Sequence, residues 1–386
     1  MIEKERMTEY FLELIKIDSL SKKEKEVAIK LKKDMEELGA DVFVDDVGEK
    51  VNGDTGNLLV KIKGNKSDAP PFFLSSHMDT VGPGEGIKPR REGNLIKSDG
   101  TTILGSDDKS GLSIIVEVVR TLKEKGIPHG DIEIAFTICE EIGLLGAKYL
   151  DTSRFKSKYG LVLDSSHPGH LIVKCPSAEK LEFRVYGLEA HAGVCPERGI
   201  SAIKVVGEAI AKMKLGRIDP ETTANIGVIQ GGLAINIVPN YVLVEGEARS
   251  HDEKKLRRQV EHIRKRFRDA VSRYSVTIDG ETYRARVEEH IERSYDRMDV
   301  STESKAVKLV KQAVDNLGYS IEAVATGGGC DANYFNRKGI ECANLGTGMK
   351  EVHTVKEHLV LDEFYRTADM LLEVLKLNVA NYLATN

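Results

Sequence analysis

The sequence has little of what marks three large classes of protein. None of its apolar runs approaches the roughly 20 residues of a membrane-spanning helix, so no membrane partner is expected. Its net charge of -5 and its pI of about 6.1 give no electrostatic reason to expect nucleic acid. Its five cysteines are an odd number without a CxxC pair, which argues against a disulfide framework and against a zinc site built from cysteines.

Two of these absences also bear on location. The N-terminal segment MIEKERMTEYF is charged and amphipathic, whereas a secretion signal needs an apolar stretch. Unpaired cysteines are typical of a reducing compartment. The sequence therefore predicts a cytoplasmic protein.

What the sequence does contain is an alternation of apolar strands and amphipathic helices. Its 386 residues are enough for a large core and two domains. The runs PFFLSS, IEIAFTIC and YGLVL are nearly continuous apolar segments, as expected for strands that are covered on both faces. Helical patterns lie between them, which favours a mainly parallel α/β sheet. Earlier in the chain, Ser21 and Glu24 have the spacing of a capping box before a helix.

The pattern changes near residue 175 and changes back near residue 300. The middle segment follows the order strand, helix, two strands, helix, strand, which suits a small α+β sandwich of ferredoxin type. The sequence therefore predicts a discontinuous α/β domain formed by residues 1–175 and 291–386. An α+β domain, residues 176–290, is predicted to be inserted into it. Its half-polar strands leave one face for solvent or for a second subunit.

Acidic residues and a histidine follow the apolar strands at the point where each strand ends. Because parallel strands place their carboxyl ends at one edge of a sheet, these side chains are expected to converge there. One histidine among several carboxylates is the composition of a metal site. The residues concerned are His77, Asp79, Asp107, Asp108, Glu140, Glu141 and Asp164.

Each of these residues also has an ordinary structural explanation. Asp79 suits a turn, Asp107 or Asp108 suits a helix N-cap, and adjacent glutamates suit the first turn of a helix. A lone histidine such as His353 is usually not a ligand. The argument for metal therefore depends on the set, whose nitrogen and oxygen ligands suit zinc and suffice for two ions that share one carboxylate.

The motifs HMDT, GSDDKSG, CEEIGLLG, LVLDSS and EVHT occur in this order. Together they resemble the motif series of the M20 metallopeptidases, and most closely that of the peptidase T-like (tripeptidase) branch. The resemblance implies a zinc-exopeptidase catalytic domain with an inserted lid, two Zn²⁺ ions per subunit that Co²⁺ or Mn²⁺ can replace, and a short peptide as substrate. It also implies that the peptide bond after Asp107 is cis.

The same resemblance assigns roles to individual residues. His77 and Asp164 bind the first metal, Asp79 supports His77, Asp107 bridges the two ions, Glu140 is the general base, Glu141 is a metal ligand, and His353 binds the second metal. In the inserted domain, the motifs GLEAHAG, GGLAINIVPN and GEARSHD place His191, Asn236 and Arg249 where the family contacts its substrate. The guanidinium of arginine suits this role because it binds a carboxylate through two hydrogen bonds. A homodimer formed through the inserted domain is a further expectation.

The predicted function is hydrolysis of short peptides by a dinuclear zinc exopeptidase of the tripeptidase or aminopeptidase type. An M20 carboxypeptidase and an N-acyl amino acid amidohydrolase remain open, because the metal chemistry would be the same. His77 and Asp107 are only 30 residues apart, which is shorter than in tripeptidases proper and leaves strict tripeptide specificity open. A metal-binding protein without catalysis is a third alternative. A dinucleotide-dependent oxidoreductase ranks last, because no GxGxxG motif follows an early strand.

Overall fold

The computed structural model describes residues 2–66 and 68–385. Its helices are α1 Lys4–Leu14, α2 Lys25–Glu37, α3 Val47–Val51, α4 Ser106–Glu124, α5 Leu145–Tyr149, α6 Ala202–Ala211, α7 Glu253–Val271, α8 Lys305–Leu317, α9 Ala332–Arg337 and α10 Leu361–Thr385. Within the described ranges, none of the helices has the apolar length of a bilayer-spanning segment.

The strands up to the end of the long antiparallel sheet are β1 Asp41–Val44, β2 Leu58–Ile62, β3 Phe72–His77, β4 Arg90–Glu92, β5 Leu95–Lys97, β6 Ile132–Thr137, β7 Tyr159–Ser165, β8 His170–Cys175, β9 Ser177–Tyr186, β10 Ala190–His191, β11 Gly216–Asp219, β12 Thr222–Gly231, β13 Ile237–Val238, β14 Tyr241–Ser250, β15 Ser275–Ile278, β16 Glu281–Arg284 and β17 Arg286–Tyr295. The remaining strands are β18 Met298–Asp299, β19 Glu322–Ala325, β20 Glu341–Gly346, β21 Met349–Lys350 and β22 His358–Val360.

The chain divides into two compact units. The first unit comprises Met1–Cys175, Met298–Thr326 and Cys330–Asn386, and the second comprises Pro176–Arg297 and Gly327–Gly329. Strand β17 stays paired with β9 as far as Tyr295, so the chain leaves the second unit only after that strand has ended.

The first unit is built on a sheet whose central strands are parallel, as the sequence predicts. Its strand order is β1-β2-β6-β3-β7-β20-β8-β18, with β19 paired to β8. The neighbours β6, β3, β7 and β20 run in the same direction, whereas the pairs toward both ends include antiparallel ones. Strand β3 is buried along its whole length, in agreement with its continuous apolar sequence. The parallel strands therefore bring their carboxyl ends to one edge of the sheet.

Helix α4 packs against this sheet at close range because a glycine, Gly111, lies near its start. A Cβ atom on Gly111 would lie 2.3 Å from the carbonyl oxygen of Leu163 and 2.7 Å from the hydroxyl oxygen of Ser76. A larger residue would push the helix away from strands β3 and β7. Further along, apolar residues at helical spacing, such as Leu112, Ile115 and Val119, are buried and hold the helix in place.

The second unit has strands and helices in the predicted order, β9, α6, β12, β14, α7 and β17, and in addition the short strands β10, β11, β13, β15 and β16, which the sequence did not predict. Its sheet runs β11-β12-β14-β9-β17, and the pairs β12–β14, β14–β9 and β9–β17 are antiparallel. Alternate residues of β9, such as Leu181 and Phe183, are buried, and the ring of Phe183 stacks on Phe267 of α7 with centroids 4.1 Å apart. Helices α6 and α7 thus cover one face of this sheet.

The predicted capping box at Ser21 and Glu24 is wrong. Glu24 is the N-cap of α2 and its side chain makes no capping bond. Instead, its carboxylate accepts the backbone N–H of Cys139 at 2.9 Å, and the Ser21 hydroxyl donates to Asp79 at 2.6 Å. The reason is physical: unpaired buried polar groups cost more free energy than the exposed start of a helix, which water can solvate.

Candidate metal centre

His77 and Asp164 end up side by side because their strands are parallel and in register. Ser75 of β3 pairs with Val162 of β7, so the residues two positions further on point to the same face. His77 Nε2 lies 3.9 Å from Asp164 Oδ1. The other ring nitrogen, Nδ1, lies 2.9 Å from the backbone oxygen of Asp79. Because a carbonyl oxygen can only accept, Nδ1 donates the hydrogen and Nε2 is left as the ligand atom.

Asp107 and Asp108 have separate tasks at the start of α4. Both residues depart from helical backbone geometry, and the peptide bond between them is cis, as the family resemblance implied. The Asp108 carboxylate turns back toward the sheet, where it accepts the hydroxyl of Ser76 at 2.6 Å. Asp107 faces the opposite way, toward the histidines. The choice of Asp107 over Asp108 as the candidate ligand therefore agrees with the geometry.

Asp107 lies between two groups of candidate ligands. Its Oδ1 is 3.0 Å from His77 Nε2, and its Oδ2 is 3.3 Å from His353 Nε2. His353 Nε2 also lies 2.9 Å from Glu141 Oε2. In each group, ligand atoms lie within 4.8 Å of one another, and the groups are His77, Asp107 and Asp164 on one side and Asp107, Glu141 and His353 on the other.

Buried negative charge dominates this cluster. Burial raises the pKa of Asp164 well above its usual value, and the neighbouring carboxylates of Glu140 and Asp107 raise it further. Burial opposes protonation of His77, but its hydrogen bonds to Asp107 and Asp79 still raise its pKa well above normal. The pKa of the half-exposed His353 is raised to about 10 by hydrogen bonds to Asp107 and Glu141. The carboxylates are therefore short of positive charge, which a divalent cation would supply.

Asp79 holds the two glutamates in place through their backbone. Its carboxylate accepts the N–H of Glu140 at 2.9 Å and that of Glu141 at 3.2 Å, besides the Ser21 hydroxyl. Support of His77 comes chiefly from the backbone oxygen of Asp79, because the carboxylate oxygen is 3.4 Å from Nδ1. Burial raises the pKa of Glu140 well above its usual value, and nearby carboxylates add to the effect. Such a group is suited to taking up a proton and returning it.

Sequence reasoning missed two buried acids next to this cluster. Asp331, in the loop GGGCDANYF, accepts the hydroxyl of Thr137 at 2.5 Å through Oδ2, while no hydrogen-bond partner for Oδ1 is found in the described residues. Burial raises the pKa of Asp331 to about 6, and its charge acts on Glu140. Glu24 is the second of these acids, and its carboxylate accepts the N–H of Cys139. The sequence signal that could have found Asp331 is an acid directly before a helix, as in CDANYF.

The three predicted substrate contacts belong to the second unit. The side chains of His191 and Asn236 are exposed. The two residues are neighbours because β10 pairs with β13, and the N–H of Ala192 donates to the backbone oxygen of Asn236 at 2.9 Å. Arg249, on β14, forms two hydrogen bonds with the Glu247 carboxylate at 2.9 and 2.8 Å. Its guanidinium is therefore already paired with a carboxylate inside this unit.

The residues of the cluster fit a pair of divalent metal ions. They offer imidazole nitrogens and carboxylate oxygens, which zinc and similar ions accept. Asp107 presents one oxygen to each group, which is the arrangement of a bridging carboxylate. The five residues that would hold the ions are His77, Asp107, Glu141, Asp164 and His353.

Comparison with known proteins shows to which family the chain is similar. A model of peptidase family M20/M25/M40 matches residues 73–377. Peptidase T from Fusobacterium nucleatum is 30% identical over 291 residues, which cover 74% of this chain and 67% of that protein. The crystal structure of aminopeptidase PepT from Bacillus cereus has 40% sequence identity and a TM-score of 0.86, over 98% of this chain and 99% of that one.

A second solved structure has a higher TM-score. A tripeptidase from Staphylococcus aureus has 36% sequence identity and a TM-score of 0.91, over 98% of this chain and 100% of that one. The family match covers most of the chain, and the two structures match it from end to end. This chain therefore belongs to peptidase family M20, in its peptidase T-like branch, and is a metal-dependent peptide hydrolase whose two ligand groups fit a dinuclear centre.

Proposed function

We propose that this chain is a dinuclear zinc exopeptidase that hydrolyses short peptides from a free amino end. The observation that carries the proposal is the position of Asp107, with Oδ1 3.0 Å from His77 and Oδ2 3.3 Å from His353. The names of the similar structures, an aminopeptidase and a tripeptidase, support the substrate class. The tripeptidase is matched over its whole length, so the short spacing between His77 and Asp107 does not argue against tripeptides.

Each residue of the site has a defined task in this proposal. Divalent ions held by the two ligand groups would lower the pKa of a water molecule and polarise the peptide carbonyl. Glu140 takes a proton from the attacking water and delivers it to the leaving amine, for which its raised pKa is suited. Asp79 keeps Glu140 and Glu141 in register by accepting both backbone N–H groups.

The second unit is proposed to act as a lid that supplies contacts to the substrate. His191 and Asn236 carry exposed polar side chains that are free of burial constraints. Arg249 would bind a peptide carboxylate only by exchanging it for Glu247, with which it now pairs. Substrate contact by Arg249 therefore requires that Glu247 be displaced or shared.

Three further properties are part of the proposal. Zinc is the proposed ion, with cobalt and manganese as substitutes, because the ligands are imidazole nitrogens and carboxylate oxygens. A homodimer is proposed through the second unit, where Val194, Leu233 and Ile235 expose most of their side chains. A cytoplasmic location is supported by the free thiols of all five cysteines.

The adjacent glutamates provide a matched test of the chemistry. Glu140→Gln should lower kcat by about 10³-fold, within the range for loss of a general base, and should keep both ions because Glu140 is outside the ligand groups. Glu141→Gln removes a ligand and should weaken binding of the second ion. Metal content by elemental analysis and turnover of a tripeptide are measured for both variants and the unchanged chain. Turnover by Glu140→Gln close to that of the unchanged chain would show that the assignment of the base is wrong.

The substrate class requires a separate measurement. The zinc-loaded enzyme is offered free-amine tripeptides, the same peptides with an acetylated amino end, and N-acetylated amino acids. Cleavage of the free-amine peptides alone, at the first peptide bond, supports an aminopeptidase. Preference for N-acetylated amino acids would identify an amidohydrolase, and release of the last residue would identify a carboxypeptidase.

A further inference from the structure

Glu357 is a buried glutamate whose carboxylate holds the segment that leads to Asp107. Its side chain is 1% exposed. Oε2 accepts the N–H of Leu104 at 2.8 Å and that of Gly105 at 2.9 Å. Oε1 accepts the hydroxyl of Ser106 at 2.6 Å and the N–H of Asp107 at 3.0 Å. Both oxygens are thus filled by donors.

The four donors come from one continuous piece of chain, and the acceptor lies 250 residues from Asp107 along the sequence. Glu357 is four residues after His353, in the loop between β21 and β22. Leu104 to Asp107 lead into and begin α4, whose first residues include the non-helical Asp107. The carboxylate therefore ties the loop of one candidate ligand to the backbone of another.

Within the described residues, few contacts hold the loop of His353 besides those of His353 itself with Asp107 and Glu141. The loop lies between two short strands, β21 and β22, and the side chain of His353 is 52% exposed. Thr354 connects the loop only to itself, through the oxygen of Glu351 at 2.7 Å. Glu357 is the residue of this loop that reaches into the core of the first unit.

We infer that Glu357 is a positioning residue that sets the separation of His353 and Asp107, and thereby the affinity of the ion that Asp107, Glu141 and His353 would share. The inference rests on the dinuclear site of the proposed function. Residues that support a ligand through a hydrogen bond typically change metal affinity by about 10- to 100-fold when they are replaced. The first ion would share Asp107, but its other two ligands, His77 and Asp164, lie on strands β3 and β7 and not in the loop of Glu357, so it should be affected much less.

The requirement for a carboxylate makes the test sharp. In Glu357→Gln the amide NH₂ group would face two donors at whichever end it lies, so at least two hydrogen bonds are lost. Glu351→Gln is the matched control, because Glu351 lies in the same loop and is exposed. Metal-free protein is titrated with Co²⁺, and the absorption of each bound ion in the visible range gives two affinities.

We expect the unchanged chain and Glu351→Gln to bind two ions alike. Glu357→Gln should bind the first ion nearly as before and the second about 10- to 100-fold more weakly. Equal affinities of Glu357→Gln and the unchanged chain for both ions would overturn the inference, and so would equal weakening of both ions, which indicates general damage. If the unchanged chain binds no ion, the proposed function fails instead, whatever the variant does.

A milder variant covers the case in which Glu357→Gln does not fold. Ser106→Ala removes one of the four donors and leaves three. It should weaken the second ion by a few-fold and leave the first unchanged, with the circular dichroism and melting temperature of the metal-free protein close to normal. A folded Ser106→Ala that binds the second ion as tightly as the unchanged chain contradicts the inference when Glu357→Gln does not fold. When Glu357→Gln folds, unchanged affinity for the second ion in both variants contradicts it.

Discussion

Two carboxylates, one at the candidate metal centre of the first unit and one in the second unit, have opposite surroundings. In the first unit, the largely covered carboxylate of Asp164, with 11% of its side chain exposed, has His77 as its cationic neighbour at 3.9 Å, and its pKa is raised. In the second unit, Glu289 lies 2.7 Å from Arg264 and 2.8 Å from Arg268. Burial would raise the pKa of Glu289, but the hydrogen bonds from these two arginines lower it.

The difference separates functional from structural charge. Carboxylates that are matched by arginines are stable as they stand and need no ligand. Carboxylates that are gathered in a buried place with too few cations oppose folding unless something positive binds. The unmatched carboxylates of the first unit therefore form its candidate metal site, whereas the arginine-matched Glu289 of the second unit contributes to structure. This contrast predicts how metal, mutation and pH should change the stability of each unit.

Metal should stabilise only the first unit, and this is the largest effect expected. An ion present at about 1,000 times its Kd adds about 4 kcal/mol of stability to the form that binds it. Addition of Zn²⁺ to the metal-free chain should therefore slow amide hydrogen exchange in β3, β7 and α4 strongly, and hardly affect β9 and β14. Exchange is followed by mass spectrometry of peptides from each unit. Equal protection of both units, or protection of neither, would break the comparison.

Removing one carboxylate should change the free energy of unfolding in opposite directions in the two units. In metal-free protein, Asp164→Asn should stabilise the first unit by about 1–2 kcal/mol, because it removes a buried charge that its neighbours repel. Glu289→Gln should destabilise the second unit by about 1 kcal/mol, a modest value because solvent screens Arg264 and Arg268. Urea unfolding with exchange readouts for each unit measures both.

The metal-loaded proteins provide the control for this pair. With Zn²⁺ present, Asp164→Asn should lose its advantage, because it has given up a ligand, whereas the effect of Glu289→Gln should be unchanged. A destabilising Asp164→Asn in metal-free protein would mean that the cluster is already neutral without an ion.

The part of the site that depends on strand ends could be predicted from the sequence. PFFLSS and YGLVL are continuous apolar runs, so parallel strands buried on both faces follow, and with them the approach of His77 and Asp164. The partners of buried acids could not be predicted in this way. Ser21 and Glu24 have the spacing of a capping box, yet Glu24 accepts the N–H of Cys139 and Ser21 donates to Asp79.

Glu357 illustrates the same limit more strongly. Its four donors lie about 250 residues earlier in the chain, and no local pattern links a loop glutamate to them. A hydrogen bond between distant segments depends on where the whole fold brings them, whereas periodicity reports only which face of an element is apolar. The candidate ligands and Asp79, the predicted support of His77, could be named from the sequence, whereas Glu357 could not.

Changes of pH should produce the smallest effect, with slopes of opposite sign in the two units. Asp164 and Glu140 have raised pKa values in metal-free protein, so their folded forms bind protons more readily than the unfolded chain. Their contribution to stability is complete below the usual carboxyl pKa and is lost as pH rises toward the raised values. The raised pKa of His77 acts in the same direction. The lowered pKa of Asp107 contributes a constant amount above about pH 5. Burial lowers the pKa of Lys109 to about 7, which opposes this trend only above that pH. Because several groups act the other way, the first unit should still gain stability as pH falls from 8 to 5.

The second unit should respond in the other direction over the same range. Burial and the nearby charges of Arg266 and Lys214 lower the pKa of His262, and its Nε2 accepts the backbone N–H of Lys214 at 3.1 Å. A histidine with a lowered pKa contributes stability above its unfolded value of about 6.5 and loses it as pH falls through the folded value. Hydrogen exchange of α7 at pH 8 and pH 5, corrected for the intrinsic rate, measures this loss, and His262→Gln should abolish it. Slopes of the same sign in both units of the metal-free chain would mean that the surplus of carboxylates at the candidate metal centre does not control the pH dependence of the first unit.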